Sequence, residues 1–251
     1  HQSMYGFRGA DVDAIPNLIA RLNAEVLPLS ITYRNPKLVV DLVRAKFPNI
    51  PLEAAEMAKP GTIEYVSQEK AMGMMMEGDM VLCRCNAPLV GPAFELIRAG
   101  KKAMIRGRDI GKGLIILIRK FRFDDVDGLL KALQEYGKKE EQRLLNQNKN
   151  QQAQSLVDKV ETIVALADGC LETSDLEHKI TSIFKDDNAG VVFSSVHRAK
   201  GLEAQRVFIL QPELMPHPMA KKPWEQVQEA NIEYVAYTRT LDTLILVSGE
   251  K

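Results

Sequence analysis

Short apolar runs rich in β-branched residues alternate along the chain with stretches whose apolar residues recur every three or four positions. The runs at 61–67, 80–85, 101–106, 191–196, 206–210 and 243–247 read as strands, and 26–32 reads the same way. Helical spacing covers 15–23, 37–46, 88–99 and 223–238. Strands separated by helices predict a parallel sheet flanked by helices, so the expected fold class is α/β.

The stretch 114–188 has a different texture. Residues 124–151 are polar, charged and free of proline, with leucines at 129, 130, 133, 144 and 145. Residues 155–171 carry Leu156, Val160, Ile163, Val164 and Leu166 at helical spacing, and Thr173-Ser174-Asp175 offers a further helix start. This pattern predicts a helical insertion with a long arm. The expected organisation is 1–115 and 189–251 as the two parts of one α/β domain, with 116–188 inserted between them.

Composition narrows the picture. At 251 residues and 45% hydrophobic content the chain can bury a core. Its formal net charge is zero, so contact with nucleic acid has to come from local patches. Cys83 and Cys85 alternate along an expected strand with no His or Cys pair nearby, which argues against zinc; metal ligands are expected to be none. Three sparse cysteines fit a reducing cytoplasm. No apolar run reaches the ~18 residues of a membrane span.

Candidate chemistry concentrates in 191–247. Between two strands lies a polar turn with His197, Arg198, Lys200, Gly201 and Glu203. Cations and a glycine at a strand's carboxyl end suit an anionic ligand, because such turns expose backbone N–H groups. The ordinary account of each residue alone is a βα unit with solvated charges. Gly107-Arg-Asp-Ile-Gly111-Lys112-Gly113 is a decoy. A phosphate-binding loop needs four residues between its glycines, then Lys and a hydroxyl residue, whereas this turn has three, and Gly113 follows Lys112. It reads as a basic strand-to-helix turn. The Met-rich run 72–76 reads as core.

Taken together, HRAKGLE (197–203) followed by YVAYTR (234–239) resembles motifs V and VI of superfamily 1 helicases of the UvrD/Rep type. The opening QSMYGFRGA (2–10) resembles motif III, with Phe7 where the family often has Trp. Tyr33-Arg34 resembles the core of motif IV, with Thr32 in place of its Asn and Asn35 in place of its Ser. Leu82-Cys83-Arg84-Cys85-Asn86 resembles motif IVa.

The resemblance implies a RecA-like sheet and an ATP-dependent DNA motor of 3′-to-5′ polarity. It implies Arg239 as an arginine finger, Arg34 as its partner on the γ-phosphate and Gln2 as the terminal-phosphate sensor. Tyr33 is expected on the adenine, Glu203 on the ribose and Gly201 in the ATP-binding turn. Tyr5, Phe7, Arg8, Arg84, Asn86, His197, Arg198 and Lys200 are expected on single-stranded DNA. ATP and Mg²⁺ are the implied cofactors, with the Mg²⁺ ligands on a first motor domain. Motif III follows the phosphate loop in the family but opens this chain, so the expectation is a fragment without that first domain and without turnover of its own. Two other classes remain open at this stage: a stand-alone module for single-stranded nucleic acid, and a non-catalytic interaction domain.

Overall fold

A computed structural model describes residues 14–27, 29–186 and 190–248. The motif III residues Gln2, Tyr5, Phe7 and Arg8 lie outside the described residues. The chain begins with α1 (Ala14–Leu22), β1 (Ile31–Thr32), α2 (Lys37–Lys46), β2 (Glu53–Ala54) and β3 (Thr62–Ser67). It continues through α3 (Gln68–Met74), β4 (Met80–Cys83), α4 (Ala87–Arg98), β5 (Ala103–Arg106) and α5 (Arg108–Arg119). Three helices follow: α6 (Val126–Asn146), α7 (Asn150–Leu166) and α8 (Thr173–Ile183). The last part holds β6 (Phe184–Lys185), β7 (Val191–Ser195), α9 (Val196–Ala199), β8 (Ala204–Leu210), α10 (Pro223–Tyr237) and β9 (Thr240–Ser248).

Seven strands form one parallel sheet in the order β3-β9-β8-β4-β7-β5-β6. Its central strands β4, β7 and β8 are mostly apolar because helices cover both faces. Alternation decides which residue faces which layer. Val81 and Cys83 join the core under α3 to α8, whereas Met80 and Leu82 join the core under α2, α9 and α10. Val207 and Ile209 oppose Phe208 and Leu210 in the same way, as Leu244 and Leu246 oppose Ile245 and Val247. The expected α/β parallel sheet is therefore the fold observed.

Two expected elements are shorter in the structure. Among the described residues of the run 26–32, only Ile31–Thr32 pairs as a strand, against Glu53–Ala54 in a separate two-stranded sheet. Leu27 and Leu29 are exposed, so the run lacks the tertiary partner that would make its apolar pattern a strand. The run 80–85 ends as a strand at Cys83, so Cys85 lies beyond β4 rather than on its opposite face. The helical stretch packs on the sheet. Leu129 and Leu133 of α6, Ile163 and Leu166 of α7, and Leu176 and Ile180 of α8 share one core with β4, β5 and β7. The boundary expected at 115/116 falls inside α5.

Candidate nucleotide and nucleic-acid site

In a parallel sheet, residues after each strand gather on one edge and residues before each strand on the other. Arg84 and Asn86 follow β4, and His197, Arg198 and Lys200 follow β7. All five line one cleft of about 800 Å³ at the carboxyl edge. Glu203 immediately precedes β8 and Arg239 immediately precedes β9, with Ala204 registered against Thr240. These two therefore lie at the amino edge, where Arg34 joins them. The segment 196–203 runs from one edge to the other, and Gly201 turns it with φ +88, a conformation that favours glycine.

At the amino edge, Arg34 Nη1 lies 3.6 Å from Glu203 Oε2. Arg239 is 1% exposed. Its Nε donates to the Val235 carbonyl at 2.9 Å, Nη1 to the Leu202 carbonyl at 3.2 Å and Nη2 to Thr238 Oγ1 at 3.2 Å. Burial first, and then the nearby Arg34 charge, push the Arg239 guanidinium down to about 10; Tyr234 and Glu203 oppose the shift. Arg34 Nε and Thr240 Oγ1 are buried without a hydrogen-bond partner. Two guanidinium groups thus share one half-exposed carboxylate. Tyr33 is 86% exposed, with its ring open to a stacking ligand.

Asn35 is a part of the site whose role sequence reasoning did not find. It is buried, and its Nδ2 donates to the Thr238 carbonyl at 3.1 Å and the Thr240 carbonyl at 2.9 Å. Thr32 Oγ1 donates to Asn35 Oδ1 at 3.1 Å. This staple fixes Arg34 beside Arg239. Pro36, the residue before α2, seats against Gly61, where a Cβ would come within 2.4 Å of its ring. Replacing Asn35 with Ala strands two buried carbonyls. The expected cost is about 1–3 kcal/mol in urea unfolding.

At the carboxyl edge the predicted contacts are partly committed internally. Arg84 donates to Glu229 through Nε (2.9 Å to Oε2) and Nη2 (2.6 Å to Oε1), with Glu229 buried and Arg84 nearly so. Burial works against the Arg84 charge, but the hydrogen bonds and charge of Glu229 outweigh it and raise its pKa. Asn86 donates through Nδ2 to Asp158 Oδ2 at 2.6 Å and through its backbone N–H to Asp158 Oδ1 at 2.7 Å. Asp158 also accepts from the Ala87 N–H at 3.2 Å, so a residue of α7 caps α4. Arg198 pairs with Asp109 in the first turn of α5. Neither Asp158 nor Glu229 carried a local signal, since each meets its partner 72 or 145 residues away. The turn at 107–113 opens α5, and its Arg108 N–H donates to Asp186 Oδ1 at 3.2 Å, so a carboxylate of the chain already occupies that donor.

His217 sits beside this network, its N–H donating to Glu229 Oε2 at 3.0 Å. Burial first, and then the Arg84 charge, lower its pKa; Glu229 and Asp158 act the other way. A lowered folded-state value means the unfolded chain binds the proton first as pH falls. Stability is therefore expected to drop as pH falls below the ordinary histidine value of about 6.5. The drop in urea midpoint between pH 7 and pH 5.5 should shrink in His217→Gln.

Residues 106–251 match the family model for the UvrD-like helicase C-terminal domain. The chain belongs to that family. The match holds β7, α10 and β9 with the residues of motifs V and VI; Tyr33 and Arg34 lie before it. A comparison with curated proteins finds no match to the chain. The family makes this domain a helicase motor fragment and supports nucleic-acid binding. No helix among the described residues is long and apolar enough to cross a membrane. Among the described residues no group of three or more His, Cys, Asp or Glu is disposed to hold a metal ion.

Proposed function

We infer that this UvrD-like domain is the second motor domain of an ATP-dependent 3′-to-5′ DNA helicase. One observation carries the reading: residues 34, 203 and 239 converge at the amino edge as two guanidinium groups short of counter-charge. A polyphosphate fits that deficit, because charge-assisted hydrogen bonds would satisfy the orphaned Arg34 Nε and relieve the Arg34–Arg239 repulsion. Arg239 acts as the arginine finger. It exchanges its bonds to the Val235 and Leu202 carbonyls for phosphate oxygens when a first motor domain closes on this edge. Mg²⁺, held by that first domain, supplies charge neutralisation on the phosphates. Tyr33 stacks on the adenine, and Glu203 passes from Arg34 to the ribose.

The opposite edge takes the single strand, with Lys200 and Arg198 on its phosphates and His197 between strand and turn. Arg84 and Asn86 shape that cleft through Glu229 and Asp158. The segment 196–203 joins the two edges, so closure around ATP moves the DNA contacts. Polarity follows from the resemblance of HRAKGLE to the 3′-to-5′ branch. The test is ATP turnover and duplex separation by the protein in which this domain is joined to a first motor domain. Turnover should rise with a single-stranded oligonucleotide, and a duplex with a 3′ tail should open in preference to one with a 5′ tail. Turnover indifferent to the oligonucleotide would overturn the reading.

A further inference from the structure

A second hollow of about 390 Å³ adjoins the carboxyl-edge cleft, and Gln151, Ser155 and Lys159 line both. Its size lies within the ~300–1,000 Å³ of small-ligand sites. Its far wall is Trp224, the chain's single tryptophan, in the first turn of α10 and 40% exposed. No helicase motif includes this residue, and no core requires its exposed face. The near wall is the turn between α6 and α7, where Asn148 takes a left-handed φ of +57.

The two walls are locked together. Lys222 Nζ donates to the Asn148 carbonyl at 3.2 Å, and Asn150 Nδ2 donates to Glu225 Oε2 at 3.5 Å. Glu225 Oε2 also accepts from the Lys221 and Lys222 N–H groups at 2.9 Å each. The hollow therefore has walls bridged by hydrogen bonds, one of them aromatic, with amides on the other side and a carboxylate at its base.

We propose that this hollow is a nucleobase pocket in which Trp224 stacks on one base of the single strand leaving the cleft; the proposal rests on the DNA-binding reading above. The chemistry selects a base over a phosphate. The Glu225 carboxylate repels phosphate oxygens, whereas an indole accepts the π-face of any base. The amides of Asn148 and Gln152 offer donors and acceptors to the base edge. Lys149 and Lys159, on the rim, take the flanking phosphates. The helical stretch 116–188 thereby supplies a wall of the DNA path, which gives it a function beyond covering the sheet.

A single tryptophan makes the test direct. The chain is titrated with an unlabelled oligo-dT while Trp emission is followed, and affinity is read separately from the anisotropy of a fluorescein-labelled copy at fixed salt. An abasic oligonucleotide of the same length serves as the control. Oligo-dT should quench the emission, and the abasic strand should bind without quenching. Trp224→Ala should weaken oligo-dT by about 5- to 150-fold, Trp224→Phe less, and neither should change the affinity for the abasic strand. Oligo-dT that binds with unchanged emission and equal affinity for Trp224→Ala would overturn the pocket and leave the helicase reading standing. An oligo-dT that does not bind at all would overturn both.

Discussion

Arg239→Ala should lower the DNA-stimulated ATP turnover of the joined motor by about 10³- to 10⁵-fold. The guanidinium is held ready at the amino edge by two backbone carbonyls, with Arg34 as a like charge beside it. A desolvated guanidinium that turns from those carbonyls to the phosphates on closure contributes most when negative charge develops against it. The loss should therefore fall on kcat, while affinity for an oligonucleotide in the absence of nucleotide stays at the wild-type value. Arg239→Lys should recover little, since a single ammonium cannot replace a planar fork that bonds in several directions. Turnover within tenfold of wild type in Arg239→Ala would remove the residue from this role. The folded fraction is checked by urea unfolding, because Arg239 is among the largest fully buried side chains.

The second large effect is on stability. Glu229→Ala should cost about 3–5 kcal/mol, the range for breaking one side of a buried ion pair. Arg84 would keep its charge in a site where its side chain is 11% exposed and its counter-ion is gone. The same carboxylate also receives the His217 N–H, so the change unpairs a second donor. The measurement is the urea midpoint at constant m-value. The double variant Arg84→Met with Glu229→Leu should regain much of the loss, because no charge then remains unpaired. A Glu229→Ala chain as stable as wild type would show that the pair contributes nothing net.

Much of the architecture was legible because it is encoded over a few residues. The runs 80–85, 191–196 and 206–210 hold β4, β7 and most of β8, and the helix expected over 37–46 is α2. The run 26–32 was misread for the same reason that the others were read correctly: apolar content marks a segment that can pair, not one that has a partner. In the site, the resemblance to motifs IV, V and VI brought Arg34, Glu203 and Arg239 into one expectation, and in the fold these three side chains lie near one another. In the sequence Asn35 was visible as a departure from the usual motif and as an Asn-Pro helix entry. Its two bonds to carbonyls more than 200 residues away show what the departure does.

By itself the sequence determined the alternation of strand and helix and carried the resemblance to motifs IV, V and VI, because each depends on period or on neighbours in the chain. Only the tertiary structure decided that the arginines and the cleft lie on opposite edges of the sheet, with 196–203 running between them. It also decided that Arg84 and Asn86 answer first to Glu229 and Asp158, and that α7 and Trp224 stand beside the cleft. Ion pairs and hollows join groups that are distant along the chain, and their strength depends on how thoroughly the surrounding fold removes them from water.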